Sequence, residues 1–323
     1  MPKSFYLPDE HFDRSYHEVM IPFLKQYEEE VFFTASDGAR LHACLYSLPA
    51  SRSVICISHG FCEYIPKYSE VIYYMLKEGF SVAISEHRGH GKSERLLNNP
   101  SKVHIHSYQT YVEDYHQFIQ LVSEKMPGLQ KLLFAHSMGG CIGTLYLEAY
   151  PDDFKAAVLS SPMLEIDSGG VPRPLCCLYG RFMTAIGKGE TYLGSQAQDF
   201  KDKPELFENS CCQNPDRFEQ WYRLREKEPA YQTCSGTIEW MTRSLQAAPK
   251  AVRNASAIRT PFLLCQAEKD NMVLPGGQNT LVRHSSCGQL KVFPGAKHEI
   301  FNSTFERRAA FFDAVFEFFQ PYQ

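Results

Sequence analysis

Nowhere does the 323-residue chain carry roughly 18 consecutive apolar residues, the length a helix needs to cross a bilayer. The opening stretch MPKSFYLPDEHFDRSYHEV is charged throughout and lacks an apolar core, so no secretory signal is expected there. An excess of basic charge is also missing: 33 Lys and Arg stand against 37 Asp and Glu, without a basic block. That removes the electrostatic footprint of a nucleic-acid binder. The C-x-x-C spacing of a zinc or redox site is absent, and the adjacent pairs Cys176/Cys177 and Cys211/Cys212 suit zinc poorly. The eleven cysteines are odd in number, and Cys44, Cys56 and Cys265 lie inside strand-like runs. Free thiols in a reducing compartment follow, and the cytoplasm is the expected location. Neither a repeat at solenoid periods nor a low-complexity tract occurs. What is present, at 44% hydrophobic residues evenly spread, is enough apolar surface for one large core.

The first thirty residues read as helical and then acidic, ending at Glu28-Glu29-Glu30. From Val31 the period changes, and the Asp37-Gly38 pair predicts a β-hairpin. Strands are then expected at Val54–Ile57, Ser81–Ser85, Lys131–Ala135, Ala156–Ser160, Pro261–Cys265 and Leu290–Phe293. Helices are expected at 68–78, 111–126, 138–150 and 306–319, bounded by Gly79, Pro127-Gly128 and Pro151. Short apolar runs alternating with longer helices predict an α/β fold with a mostly parallel sheet. The rhythm breaks between Leu164 and Lys250, a proline-containing stretch with helical pieces and no convincing buried strand. The chain therefore divides into core residues 1–163, a helical cap at 164–250 and core residues 251–323. Ligands bind at the carboxyl ends of such a sheet, under the cap.

Chemistry is concentrated in Ala135-His136-Ser137-Met138-Gly139-Gly140, directly after one expected strand and directly before a helix. A serine on so sharp a turn needs small residues two before and two after, and Ala135 and Gly139 supply them. The helix opening at Met138 points free N–H groups at a developing oxyanion. A serine hydroxyl needs a base, and the base an orienting acid, in the chain order Ser, Asp/Glu, His. Asp270 and His298 follow the last two strands in that order. Glu268 is the rival acid, and His284, in a polar segment, the weaker base. Gly60 after the strand Val54–Ile57 lets the backbone turn inward, making the Phe61 N–H the second oxyanion donor beside that of Met138. His59 and Glu63 can lock that loop by hydrogen bonds. The loop Glu86-His87-Arg88-Gly89-His90-Gly91-Lys92-Ser93 lacks phosphate-loop spacing and reads as structural. His104 and His106 could suggest a metal pair, but that spacing in a loop is usually incidental, and no metal is expected.

With these residues in place, the chain resembles the α/β-hydrolase family, and within it the lysophospholipase and monoacylglycerol lipase branch, also called serine aminopeptidase-like hydrolases. His59-Gly60-x-x-Glu63 with Tyr68 matches the branch's H-G-x-x-E…Y segment. Residues 86–93 match its D-H-R-G-x-G-x-S loop, with Glu86 for the usual Asp. Residues 135–140 match its [GA]-H-S-M-G-G elbow, and Ser235-Gly236-Thr237-Ile238-Glu239-Trp240 is similar to a G-G-P-T-x-x-W segment. The resemblance runs from about Val31 to the C-terminus. It implies hydrolysis of a carboxylic ester through an acyl-enzyme, without metal or organic cofactor, on a small acyl ester or lysolipid.

The expected cap carries Leu175, Leu178, Tyr179, Phe182, Met183, Ile186, Phe207, Phe218, Trp221, Tyr222, Trp240 and Met241, an apolar wall that suits an acyl chain. Contact of the cap with a membrane surface is left open, because no strongly basic amphipathic face accompanies it. A short-chain carboxylesterase and an acyltransferase fit the same triad. An aminopeptidase would need cap carboxylates, for which Glu190, Glu205, Glu208 and Glu219 stand in no evident pattern. Ser137 argues against dehalogenase and epoxide hydrolase chemistry, which use Asp there, and an intact triad argues against a non-catalytic binding protein.

Overall fold

The computed structural model describes residues 3–193, 198–201 and 205–323. The Asp37-Gly38 hairpin forms as expected, with β1 (Glu28–Thr34) antiparallel to β2 (Arg40–Tyr46). Strand β1 begins at Glu28 and not Val31, because the acidic triplet lies on a sheet edge where carboxylates reach lysines. Glu28, Glu29 and Glu30 pair with Lys25, Lys125 and Lys92. Charge of this kind blunts an exposed edge against pairing with other chains. The remaining strands are β3 (Ser53–Ser58), β4 (Ser81–Ser85), β5 (Gln130–His136), β6 (Ala156–Ser160), β7 (Phe262–Ala267) and β8 (Gly288–Phe293). They form one eight-stranded sheet in the order β1-β2-β4-β3-β5-β6-β7-β8, parallel from β4 to β8.

Both faces of the central strands are covered, which is why they read as unbroken apolar runs. In β3, Ile55 and Ile57 enter one core, while Val54 and Cys56 enter the other. In β5, Leu132 and Phe134 are split from Leu133 and Ala135 in the same way. Helices α1 (Ser69–Lys77) and α8 (Phe305–Phe319) and the helical residues 12–24 close the first core. Helices α2 (Tyr108–Lys125), α3 (Met138–Ala149), α6 (Ile238–Arg253) and α7 (Pro275–His284) contribute to the second. Helix α7 occupies the segment read as polar, and His284 ends it.

Between β6 and β7 the chain passes through α4 (Arg173–Ala185), α5 (Pro215–Lys227) and α6. The expected boundary at residue 250 falls inside α6, whose Ala247, Ala248 and Ala251 are buried in the second core. Among the described residues, short pairings interrupt the helical stretch: Ser235–Gly236 with Lys102–Val103, Ile166 with Val273 and Tyr192 with Thr237. Helix α5 is held to the rest by buried ions. Arg217 binds Glu70 through Nε and Nη2, each at 2.6 Å, and reaches Asp9 at 2.8 Å, which Arg308 of α8 also contacts at 2.9 Å.

The loop after β4 is built around Glu86. Its carboxylate accepts from the Ile65 and Lys92 N–H groups and contacts His42 Nδ1 at 2.8 Å. Gly91, at φ 51°, lies so close that a β-carbon would sit 1.9 Å from the Glu86 carboxyl carbon. Gly128 has a comparable φ of 81° but open space around it. Gly128→Ala is expected to cost only backbone strain, about 1 kcal/mol. Gly91→Ala adds displacement of a buried carboxylate from its donors and is expected to cost at least about 2 kcal/mol more. Denaturant midpoints of the two variants check this, and equal losses would contradict it.

Candidate active site

Strand β5 ends at His136 and α3 begins at Met138, so the chain reverses within one residue. Ser137 occupies that turn at φ 52° and ψ −118°, outside the regions an L-residue ordinarily populates. The turn is pinned on both sides, with the Ser137 N–H donating to Ser160 O and its carbonyl accepting from Met163 N–H. Gly139 explains the glycine of the motif. A β-carbon there would lie 2.1 Å from Ser58 O and 2.5 Å from His59 O, because α3 starts directly against the end of β3.

The structure brings Ser137, His298 and Asp270 together. Ser137 Oγ lies 2.8 Å from His298 Nε2, and His298 Nδ1 lies 2.8 Å from Asp270 Oδ2 and 3.0 Å from Oδ1. The Met272 and Val273 N–H groups donate to Asp270 Oδ1. Burial alone would raise the Asp270 carboxyl, but His298 and these two N–H groups outweigh it and hold it below the usual carboxylate value. Glu268, the rival acid, instead accepts from the Gly295 N–H at 2.7 Å and ties the two loops together. His136 packs its ring 4.9 Å from that of His298, and burial pushes it down to about 4, so it stands there as a neutral ring.

Among the described residues, neither the Phe61 N–H nor the Met138 N–H has a protein acceptor. For Met138 this follows from its place in the first turn of α3. The Phe61 loop is braced as expected. The Gly60 N–H donates to Glu63 Oε2 at 2.6 Å, the Tyr68 hydroxyl donates to the same oxygen, and His59 Nε2 accepts from the His87 N–H. The Phe61 ring stacks on Trp240 of α6, with centroids 4.1 Å apart. A cavity of about 460 Å³ opens beside this loop, lined in part by Phe61, Cys62, Met272 and Glu299.

Sequence reasoning missed Lys67 and Glu299. Lys67 Nζ is buried between Glu299 Oε1 at 2.7 Å and Glu63 Oε1 at 3.0 Å, with the Trp221 ring at 4.6 Å. It joins the Phe61 loop to the residue following His298. The only sequence signal was local, Lys67 standing four residues after Glu63.

The family model described as Serine aminopeptidase, S33 (Hydrolase_4) matches residues 49–304. A probable lysophospholipase L2 of Haemophilus influenzae is 28% identical, over 87% of this chain and 88% of its own. A monoacylglycerol lipase of Mycolicibacterium smegmatis is 27% identical, over 78% and 82%. Among solved structures, the monoacylglycerol lipase of Paleococcus ferrophilus superposes with a TM-score of 0.66 at 25% identity, covering 88% of this chain and 99% of its own.

Burial alone would raise Glu63, yet the Lys67 ammonium and the Tyr68 hydroxyl hold it well below the usual range. A carboxylate so depressed stabilises the fold above its unfolded value of about 4.3 and loses that contribution as pH falls through the folded value. Lys67→Met, which strands two buried carboxylates, is expected to cost about 3–5 kcal/mol at pH 7. The gap to the wild type should narrow below pH 4, and denaturation at both pH values checks it. The match over most of the chain, the sheet order and the turn at Ser137 agree: the chain belongs to the serine aminopeptidase S33 family of α/β-hydrolases, in its lysophospholipase and monoacylglycerol lipase branch.

Proposed function

We propose that Ser137, His298 and Asp270 are the catalytic residues of a hydrolase that splits carboxylic esters through an acyl-enzyme. The protein is a carboxylic ester hydrolase, and lysophospholipids or monoacylglycerols are its proposed substrates. One observation carries the reading: an unbroken hydrogen-bonded relay runs from Asp270 through His298 to a serine held on a strained turn at a helix start. Ser137 Oγ attacks the ester carbonyl while His298 Nε2 takes its proton, and Asp270 orients and compensates the imidazolium. The Phe61 and Met138 N–H groups receive the oxyanion, each donor contributing about 2.7–4 kcal/mol to the transition state. His298 then protonates the departing alcohol and activates the water that releases the acid.

The cap region supports a lipid over a free amine. Residues 164–250 are proposed as that cap, and its aromatic residues divide by role. Phe218 and Trp221 pack with Tyr64 and Tyr231, whereas Leu175, Leu178, Tyr179 and Phe182 of α4, with Ile186 just past its end, face solvent, each about half exposed or more. An apolar cavity of about 320 Å³ lies between α4 and α6, bordered by Val171, Leu175, Tyr179, Met241 and Leu245. Contact of α4 with a lipid surface is proposed from the same face, although no helix among the described residues is long and apolar enough to cross a membrane. An ammonium group would need an unpaired carboxylate. Glu205 is already held by Arg225, Glu219 by Arg223 and, beside the site, Glu299 by Lys67, while Glu190 and Glu208, without an ion-pair partner among the described residues, are exposed and line neither cavity. The eleven free thiols are consistent with a reducing compartment, and the cytoplasm is the proposed location.

The test is hydrolysis of p-nitrophenyl esters from acetate to palmitate, followed by monoacylglycerol and lysophospholipid. Ser137→Ala should abolish turnover with the fold intact, and Asp270→Asn should lower kcat by about 10³–10⁴. A serine-dependent optimum at medium or long chains supports the lipid reading, and an optimum at acetate replaces it with a short-chain esterase. Turnover retained by pure Ser137→Ala would remove the mechanism. Separately, Leu178→Ser with Phe182→Ser should reduce co-sedimentation with phosphatidylcholine vesicles several-fold while leaving hydrolysis of soluble p-nitrophenyl acetate unchanged.

A further inference from the structure

The pair His104 and His106, unremarkable by spacing, acquires a third neighbour in the fold. Glu239, in the first turn of α6 and 133 residues on from His106, brings its carboxylate between the two rings. Glu239 Oε2 lies 3.3 Å from His106 Nδ1 and 3.7 Å from His104 Nε2, and one donor atom of each residue lies within 4.8 Å of the others. A tetrahedral metal with bonds of about 2.0–2.1 Å separates neighbouring donors by about 3.4 Å. The two distances to the carboxylate already bracket that value.

A second observation is the state of His104. Its side chain is 1% exposed, and its Nε2 is buried without any hydrogen-bond partner, aimed at the Glu239 carboxylate. The opposite nitrogen, Nδ1, is held 2.9 Å from Thr237 Oγ1, which also accepts the Trp240 N–H as the cap of α6. A ring fixed through one nitrogen with the other left open is the arrangement of a metal-bound histidine and its outer support. Glu239 is prepared in the same way. Arg243 binds its other oxygen, Oε1, at 2.7 Å, and its own N–H donates to Gly189 O. His106 is 68% exposed on its side chain, so an ion can reach the site from solvent and keep a water as fourth ligand.

We propose that His104 Nε2, His106 Nδ1 and Glu239 Oε2 form a site for a divalent transition-metal ion of the Zn²⁺ type, structural in role and apart from the Ser137 relay. Two nitrogens and one carboxylate oxygen suit zinc or cobalt better than the all-oxygen ions calcium and magnesium. The ion would clamp residues 104–106 to the start of α6, where the Glu239 N–H already holds Gly189. The next residue, Trp240, carries the ring on which Phe61 stacks, so the clamp stiffens the helix end behind the Phe61 loop.

The experiment titrates chelator-stripped, reduced full-length protein with CoCl₂ and ZnCl₂, beside His106→Ala and Glu239→Gln. Cobalt distinguishes this site from the many thiols, because thiolate ligands give an intense near-ultraviolet charge-transfer band and nitrogen and oxygen ligands do not. The wild type should bind one equivalent of Co²⁺ with visible tetrahedral bands and without that charge-transfer band. Both variants should lose this equivalent or bind it at least tenfold more weakly, with unchanged circular dichroism. Zn²⁺ should raise the thermal midpoint of the wild type and of neither variant. Binding unchanged in either variant, or a thiolate band accompanying every bound equivalent, overturns the proposal.

Discussion

The close approach of α3 to the end of β3 is the constraint from which the site follows. Gly139 has no side chain, so the first turn of the helix can rest on the carbonyls of Ser58 and His59. Any larger residue would push α3 away from the sheet and relax the turn at Ser137. With the helix seated, the serine is forced to φ 52°, its hydroxyl faces His298, and the open N–H of Met138 lies beside it. Backbone strain is retained here because Ser160 and Met163 hold the turn from both sides. Strain, orientation and the first proposed oxyanion donor therefore have one steric origin.

Around this turn the structure spends buried charge on position. Lys67 bridges Glu63 and Glu299, and so links the loop of Phe61 to the loop of His298 through one ammonium group. Buried ion pairs add little net stability compared with apolar packing, but they are directional and penalise any arrangement that separates them. The Glu86 cluster acts similarly one strand further out, tying the β4 loop to His42 and to the start of the segment carrying Lys67. The site thus rests on loops braced from behind by hydrogen bonds and ion pairs.

The likeness to lysophospholipases and monoacylglycerol lipases agrees with the division of labour seen here. The sheet and its loops carry the proposed reacting groups, while α4 carries exposed apolar surface. Much of the aromatic content of the proposed cap packs internally, as Phe218 and Trp221 do, and among the described residues α4 presents its exposed apolar face. An apolar face on one helix and an apolar cavity beside it fit the proposed lipid substrate.

Local pattern decided a good deal before any fold was known. The alternation of apolar strands and helices, the Asp37-Gly38 hairpin and the small residues around Ser137 all depend on neighbours within a few positions, and they were legible for that reason. Loop order narrowed the acid and base to Asp270 and His298, with Glu268 and His284 as rivals. Only the tertiary structure could turn that order into contact, because Ser137 and His298 are 161 residues apart and meet through the pairing of strands. The same holds for Lys67 with Glu299 and for His104 with Glu239, which no spacing in the chain foretells. Periodicity in a sequence reports which face a side chain takes. Which distant face it then meets is decided by sheet order and helix packing.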